Sequence, residues 1–386
     1  MVAIPVKDEV ERIGNCLRAL SQQSGISRHQ IVLLLNNCTD DTAVVVRNLT
    51  PNLPVPIHQF EVTLPPEQAN AGYARRLAMQ AAEKFVAPQG VLLTTDADAC
   101  VYPDWISANL LALRQGADAV AGCIEIDPAE AALIPPKLHE DDARECAYAA
   151  LLDEIEARLD WDSADPWPRH SEHSGASIAV TVDAYRRAGG IPAVGLGEDR
   201  AFFGALRRVD ARIRHTFKAR VVVSGRMVGR AIGGMADTIR RRIVRSDEML
   251  DDRLEPAMDA AWRARLRRFV RTAWSTRDAL APLVPILSRA LLMHAVEIWK
   301  VLSLPHFGAA WAEIETRSAT LAKRRVPVVD LEHETEQAHK ILEGFSRSFK
   351  ASPLRPSLLT NQHELPPMMV DDDPDDETCI HVKRPV

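Results

Sequence analysis

Metal-site or disulfide spacing is what this chain most plainly lacks. Its six cysteines, Cys16, Cys38, Cys100, Cys123, Cys146 and Cys379, are scattered along 386 residues. Neither a zinc module nor a disulfide framework is readable from them, so reduced thiols in a cytosol are the expectation. Positive charge is not in excess either: the net charge of −6 argues against a general nucleic-acid binder. A clean apolar run of the roughly twenty residues that a spanning helix needs is missing too. The best candidate, Ala279 to Leu304, is interrupted by Pro282, Pro285, Arg289, His294, Glu297 and Lys300. It reads instead as buried helices packed on the rest of the chain, or as a homodimer interface. No signal peptide is expected, because Val2-Ala3-Ile4-Pro5-Val6 already has the character of a first core strand. No internal repeat is visible. What remains is a chain too long for one small core and suited to one large domain with an appendage.

The first half alternates strands and helices. After Val2–Val6, the residues Val10, Ile13, Leu17 and Leu20 recur at helical spacing, with Asp8 as N-cap and Glu11 completing a capping box. A second apolar run, Ile31 to Leu35, ends in the polar turn Asn36-Asn37-Cys38-Thr39-Asp40-Asp41-Thr42. A third strand is expected over Ile57 to Val62, a helix from Asn70 to about Phe85, and a fourth strand over Val91 to Thr95. Such alternation implies a mostly parallel sheet with both faces covered.

The fourth strand runs straight into Asp96-Ala97-Asp98. Ligands of α/β folds bind beyond the carboxyl ends of strands, and hard cations such as Mg²⁺ or Mn²⁺ take a few carboxylate oxygens plus the ligand's own phosphates. A carboxylate pair in this position can grip a diphosphate through such an ion. The alternative is that the two acids merely cap the helix opening near Pro103.

Five features in order, Ile4-Pro5 with Asp8-Glu9, Asn36 to Thr42, Gly72-Tyr73-Ala74-Arg75, Asp96-Ala97-Asp98 and Gly197-Glu198-Asp199, resemble the motif set of family-2 glycosyltransferases over roughly residues 1–230. That resemblance implies the GT-A fold of the nucleotide-diphospho-sugar transferases, a Rossmann-like, mostly parallel mixed sheet covered by helices, here with a C-terminal helical extension. It also implies a nucleotide-diphosphate-sugar donor, a divalent Mn²⁺ or Mg²⁺ ion and inversion at the anomeric carbon. Carried over, it puts Pro5 and Glu9 at the nucleotide end and Asn36 where relatives usually have an Asp that pairs with the base. An amide offers a donor as well as an acceptor, which leaves the base unread. Arg75 falls near the donor, its alternative being a solvated first-turn arginine. Asp98 becomes the metal ligand, with Asp96 acting through water or the ribose. Of the acid pair Glu198-Asp199, which opens a helix over Arg200 to Arg208, Asp199 is the expected base. The plainer account of these acids is complementing the helix dipole.

The acceptor side is expected in the second half of this region. Residues 117–126 read as a strand, a helical insertion follows to about Asp165, and Trp167 to Ser177 forms a polar loop that feeds a strand to Val180. His170 and His173 stand three apart, which would suit a metal on a helix, but Pro168 and Gly175 make the segment a loop and too few ligands for zinc are in view. They and Arg226, in Val223-Ser224-Gly225-Arg226 beyond the last expected strand, are candidate acceptor contacts. Arg226 could instead add positive charge at the leaving diphosphate. Ser224 stands about where some relatives place a metal-binding histidine.

The expected division is a catalytic domain over 1–234, a helical extension over 235–350 and a disordered acidic tail over 351–386. The basic stretches Ile239 to Arg245 and Arg263 to Phe269 read as solvated helix faces, the alternatives being a phosphate-bearing acceptor or peripheral membrane contact. The acceptor itself is unread, nucleic acid is not an expected partner, and the cytoplasm is the expected location. Rival readings are a retaining transferase with a phosphorylated acceptor, a nucleotidyltransferase and a non-catalytic nucleotide-sugar-binding protein. Against the second, Lys7-Asp8-Glu9 does not supply the glycine-rich basic loop such enzymes carry after the first strand; against the third, Asp96, Asp98 and Asp199 all stand.

Overall fold

A computed structural model describes residues 1–26, 28–226, 229, 235–245, 247–276 and 280–350. The tail from 351, with its acidic run and Cys379, and the boundary glycine Gly234 lie outside the described residues.

The expected alternation of elements is present. In chain order they are β1 (Val2–Val6), α1 (Ile13–Ser21), β2 (Ile31–Asn36), α2 (Thr42–Leu49), β3 (Ile57–Val62), α3 (Ala71–Glu83), β4 (Val91–Thr94), β5 (Cys100–Val101) and α4 (Trp105–Arg114). Then come β6 (Ala119–Ile126), α5 (Pro128–Ala131), α6 (Pro136–Leu159), β7 (Ile178–Thr181), α7 (Val182–Arg187), α8 (Glu198–Arg208) and β8 (Ile213–Val223). The C-terminal helices are α9 (Met235–Val244), α10 (Ala257–Ser275), α11 (Val284–Leu291), α12 (Ala295–Leu302), α13 (Phe307–Arg317) and α14 (Leu331–Lys350). One eight-stranded sheet has the order β3-β2-β1-β4-β7-β6-β8-β5. Strands β1 to β4 run parallel, β7 is antiparallel to both its neighbours, and β5 pairs antiparallel with the end of β8.

Side-chain alternation along β1 builds two cores. Val2, Ile4 and Val6 point to one face with Ile13, Leu17 and Leu20 of α1 and Trp105 of α4. Ala3 points to the other, with Ala78, Met79 and Ala82 of α3 and Phe202, Phe203 and Leu206 of α8. β2 is buried at all six positions, as a central parallel strand covered on both faces must be.

The sequence expectation fails at the start of α1. Asp8 does not cap it: its backbone is left-handed (φ 50°), and its carboxylate accepts from the amides of Thr39 and Asp40. The helix opens later, at Ile13, and the amides of Glu9 and Val10 donate to Thr42 Oγ1 (2.8 Å) and Asp40 Oδ2 (3.2 Å). The first two strand ends are thereby tied together. Asp96 and Asp98 do not cap α4 either, since that helix begins at Trp105 behind Asp104.

Between residues 235 and 350 the described elements are helices, as expected. Leu254, just before α10, Ala257 and Ala261 in its first turns, and Leu331 and Leu342 of α14 pack on Tyr148, Leu152 and Ile155 of α6. A second cluster joins α10 to α13 and contains Leu287, Leu291, Ile298 and Trp311. Fully burying side chains of this kind contributes about 1.5–3 kcal/mol each. Among the described residues no helix is long and apolar enough to cross a membrane.

Candidate active site

The chain leaves β1 toward β2 on one side and returns to β4 on the other, so the strand order reverses between β1 and β4. Ligands of open α/β sheets bind at such a switch point, outside the carboxyl ends. A cavity of about 910 Å³ lies there, and Pro5, Glu9, Asn36, Arg75, Asp96, Asp98, His173, Glu198, Asp199 and Arg226 all line it. Of the residues expected from the sequence, only His170 is not in its wall.

Arg75 is not a solvated arginine. Its side chain is 4% exposed and lies under the cavity floor. Nε donates to Glu198 Oε1 (2.9 Å), Nη2 to Asp96 Oδ1 (2.6 Å), and Nη1 to Thr94 Oγ1 (3.0 Å) and the Gly175 carbonyl (2.9 Å). Burial alone would weaken the guanidinium's hold on its proton, but Asp96 and Glu198 more than offset this and hold its pKa above the ordinary value. A β-carbon at Gly175 would collide with this guanidinium, so a larger residue there would push Arg75 off its partners. Asn70 presents the arginine by capping α3, its side chain accepting from the Tyr73 amide at 3.1 Å.

Glu198 is therefore committed to Arg75, and its neighbour Asp199 faces the cavity. Gly197, left-handed at φ 70°, turns the chain into α8. The Asp199 carboxylate accepts from the Gly175 amide (3.2 Å) and the Arg200 amide (2.7 Å). Burial, then the negative charge of Glu198, raises its pKa above the ordinary value.

Across the cavity Asp98 is largely buried, and that burial together with Asp96 pushes its pKa up to about 6 even though Arg226 opposes the shift. Arg226 grips both oxygens of Glu9 (2.9 and 2.5 Å) and reaches Asp98 Oδ2 at 3.1 Å. It stands on the carboxylate-pair side of the cavity. Asn36 ends β2, and its neighbour Asn37 has a structural task, its carboxamide pairing with both backbone groups of Leu64.

The two histidines are placed differently. His170 is buried against Phe217 and His215, its Nε2 3.4 Å from the Thr216 carbonyl. His173 does reach the cavity wall, stacked on Phe203 with ring centroids 4.3 Å apart, while its Nε2 lies 3.1 Å from His215 Nε2. His215 in turn meets Asp165 at 2.7 Å through Nδ1. Burial, reinforced by neighbouring positive groups, pushes the His170 pKa down to about 3 and that of His173 well below the ordinary range, so both rings are neutral near pH 7. His215 was not signalled by the sequence, because only the alternation along β8 turns it toward the loop.

The far end of the cavity is lined by Arg200, Asp251 and Arg253. Arg253 donates to the Ser171 carbonyl at 3.0 Å, and Arg200 pairs with Asp252 at 3.0 Å. Sequence reasoning missed these because residues 251–253 belong to the helical half, far along the chain from every motif. Among the described residues no group of three or more His, Cys, Asp or Glu side chains is arranged to hold a metal. Any cation at Asp98 would thus draw most of its oxygens from a ligand and from water. That is the ordinary habit of Mg²⁺, so the carboxylate pair fits such an ion.

An α/β sheet whose switch point carries a carboxylate pair and a helix-mouth acid on one cavity suits a phosphorylated ligand. The model of Glycosyl transferase family 2 matches residues 1–162. No curated protein matches the sequence. Solved structures similar to the chain include S. aureus TarS 1–349 in complex with UDP-GlcNAc, 15% identical over 90% of this chain and 91% of that one, TM-score 0.43. Another is the mannosyltransferase PcManGT from Pyrobaculum calidifontis in complex with GDP-Man and Mn²⁺, 17% identical over 91% and 80%, TM-score 0.38. A third is glucosyl-3-phosphoglycerate synthase from Mycobacterium tuberculosis, 14% identical over 63% and 76%, TM-score 0.37.

Proposed function

We propose that the protein is an inverting, divalent-cation-dependent glycosyltransferase that moves a sugar from a nucleoside-diphosphate donor to an acceptor hydroxyl or amine. The observation that carries this reading is the meeting of Asp98 and Asp199 on one cavity at the switch point, with Arg75 tying Asp96 to Glu198 between them. Pro5, Glu9 and Asn36 would receive the nucleoside end. Asp98, assisted by Asp96, would hold Mn²⁺ or Mg²⁺. When bound, such an ion supplies positive charge to a departing diphosphate.

Direct displacement at the anomeric carbon needs the attacking group deprotonated as it bonds. Asp199 is the base in this reading: burial and the charge of Glu198 make its carboxylate a better proton acceptor than an exposed aspartate. Its two backbone hydrogen bonds fix its direction. Glu198 acts through Arg75 and is a positioning residue. His173, neutral and on the cavity wall, would contact the acceptor as a hydrogen-bonding group rather than as a charge.

The test is a thermal-shift and transfer screen of the full chain with UDP, GDP and their sugars, with and without Mn²⁺. A ligand at a hundred times its Kd adds about 2.7 kcal/mol of stability, a readable shift. Release of nucleoside diphosphate, with an inverted anomer seen by NMR, is the expected result. Retention of configuration would refute the single-displacement role of Asp199. Equal response with and without Mn²⁺ would remove the cation from the reading.

A further inference from the structure

We propose that Arg226 is a resident counter-ion on Asp98, and that the donor's diphosphate must draw it away before Asp98 is open to a divalent cation, so that metal loading depends on the nucleotide. This inference rests on the reading given under the proposed function.

Glu9, Asp96, Asp98 and Glu198 surround the cavity floor, and two guanidiniums divide them: Arg75 takes Asp96 and Glu198, Arg226 takes Glu9 and Asp98. One of the two Asp98 oxygens therefore already faces a positive charge at 3.1 Å. A cation arriving on that carboxylate alone would stand beside the guanidinium and be repelled.

Arg226 is also built into place. Its own amide donates to Ser224 Oγ (3.2 Å), that hydroxyl donates to Glu130 Oε2 (3.0 Å), and the Gly225 amide donates to the same oxygen (2.6 Å). The other Glu130 oxygen pairs with Arg12. A β-carbon on Gly225 would lie 2.5 Å from Ile126 Cγ2, so only glycine lets this turn press against the end of β6. The backbone of the turn is held while the side chain retains a choice of partner. A guanidinium has five N–H donors, and the fork on Glu9 needs two of them. It can keep Glu9 as a pivot and exchange Asp98 for a phosphate oxygen, a partner that suits its planar geometry. The exchange replaces one anion by another at the moment Asp98 becomes available.

Linkage then requires that nucleotide and metal raise each other's affinity by the same factor. The test titrates Mn²⁺ against the full chain, following the signal of free aqueous Mn²⁺ by electron paramagnetic resonance, with and without UDP or GDP. Wild type is expected to bind Mn²⁺ weakly alone and far better with nucleotide. R226A and the nearly isosteric R226Q are expected to bind Mn²⁺ alone about tenfold tighter, a change of about 1.4 kcal/mol. The tightening that nucleotide brings should shrink by a similar factor. R226K keeps a charge but loses the fork, and should fall between. Circular dichroism establishes that each variant is folded, and R226Q guards against a packing defect at R226A.

Unchanged Mn²⁺ affinity in R226A and R226Q, with nucleotide-dependent Mn²⁺ binding intact, would overturn the proposal and leave the glycosyltransferase reading standing. An R226K that matches wild type while R226A tightens would reduce the effect to general charge, and would also overturn it. Failure of Mn²⁺ to bind under any condition, with or without nucleotide, would overturn the proposal and the cation-dependence of the reading together.

Discussion

Replacing Arg75 by Met removes a cation that joins the two carboxylate motifs while keeping most of the side-chain volume. Glu198, 10% exposed, would be left buried without a counter-charge; Asp96, 35% exposed, would be partly rescued by water and contributes less. The Thr94 hydroxyl and the Gly175 carbonyl would also lose a donor. Removing one partner of a buried ion pair costs about 3–5 kcal/mol. That is a large share of the roughly 5–15 kcal/mol by which a domain is stable. Urea unfolding followed by tryptophan fluorescence should report the loss, because Trp105 is fully buried in the sheet core. If the sheet region melts as one unit of 150–250 residues, each 1 kcal/mol moves Tm by about 2–4 °C. The decisive comparison is with E198Q: in that background R75M should cost about 1–3 kcal/mol less, the coupling expected of groups in direct contact. A loss below about 1 kcal/mol, or strict additivity of the two substitutions, would refute the claim that Arg75 holds the site together.

Asp199→Asn should keep donor affinity and lower transfer by about two to four orders of magnitude, the range for a general base. Because burial and Glu198 raise the pKa of Asp199, the acid limb of the wild-type rate profile should lie above the ordinary aspartate value, and D199N should abolish that limb. The same sign governs stability: a carboxyl whose folded pKa is raised favours folding when protonated, so D199N should raise Tm slightly at neutral pH, and a large fall would mark the residue as a structural cap. Asp153, 7% exposed within α6, is pushed up to about 7 by burial, Ser171 and Arg169 only partly offsetting it. The contribution of Asp153 to stability should decline as pH rises from about 4 to about 7, by up to ~4 kcal/mol at about 1.4 kcal/mol per unit. The buried neutral His170 and His173 contribute in the opposite sense as pH rises toward the ordinary histidine range. D153N should remove the Asp153 contribution, so the stability difference between wild type and D153N should carry this pH dependence, which urea unfolding across the pH range would check.

The strand ends were legible in the sequence because their positions follow from generic physics. A buried parallel strand is an apolar run, and Val2–Val6, Ile31–Asn36 and Val91–Thr94 each announce themselves before a polar break. Asp96, Asp98 and Asn36 could be assigned to a site because any residue just beyond such a run stands at a carboxyl end. The two-residue strand β5 could not be read, since Cys100 and Val101 owe their conformation to pairing with Val222 and Val221 rather than to local pattern. The capping box at Asp8 and Glu11 failed for a similar reason: the side chains of Asp40 and Thr42 supplied acceptors from across the chain, and Asp8 was released to bind the β2 turn.

Charge pairing was the least legible feature, and it decides the chemistry. Nothing near Arg75 in the sequence distinguishes a solvated first-turn arginine from one whose partners lie 21 and 123 residues away. The same holds for Arg226 and Glu9, 217 residues apart, and for His215 and Asp165, 50 apart. Both arginines are satisfied only because the topology returns distant strands and helices to one switch point. A local motif can therefore nominate a carboxylate, but whether it is paired, strained or open to a ligand depends on which cation the fold delivers to it. At this site the two acids of one motif receive different cations: Asp96 is fixed from below by a buried arginine, and Asp98 is held by one that can exchange its partner. That asymmetry, invisible in Asp96-Ala97-Asp98 itself, is why Asp98 rather than Asp96 is the group from which ligand-dependent behaviour should arise.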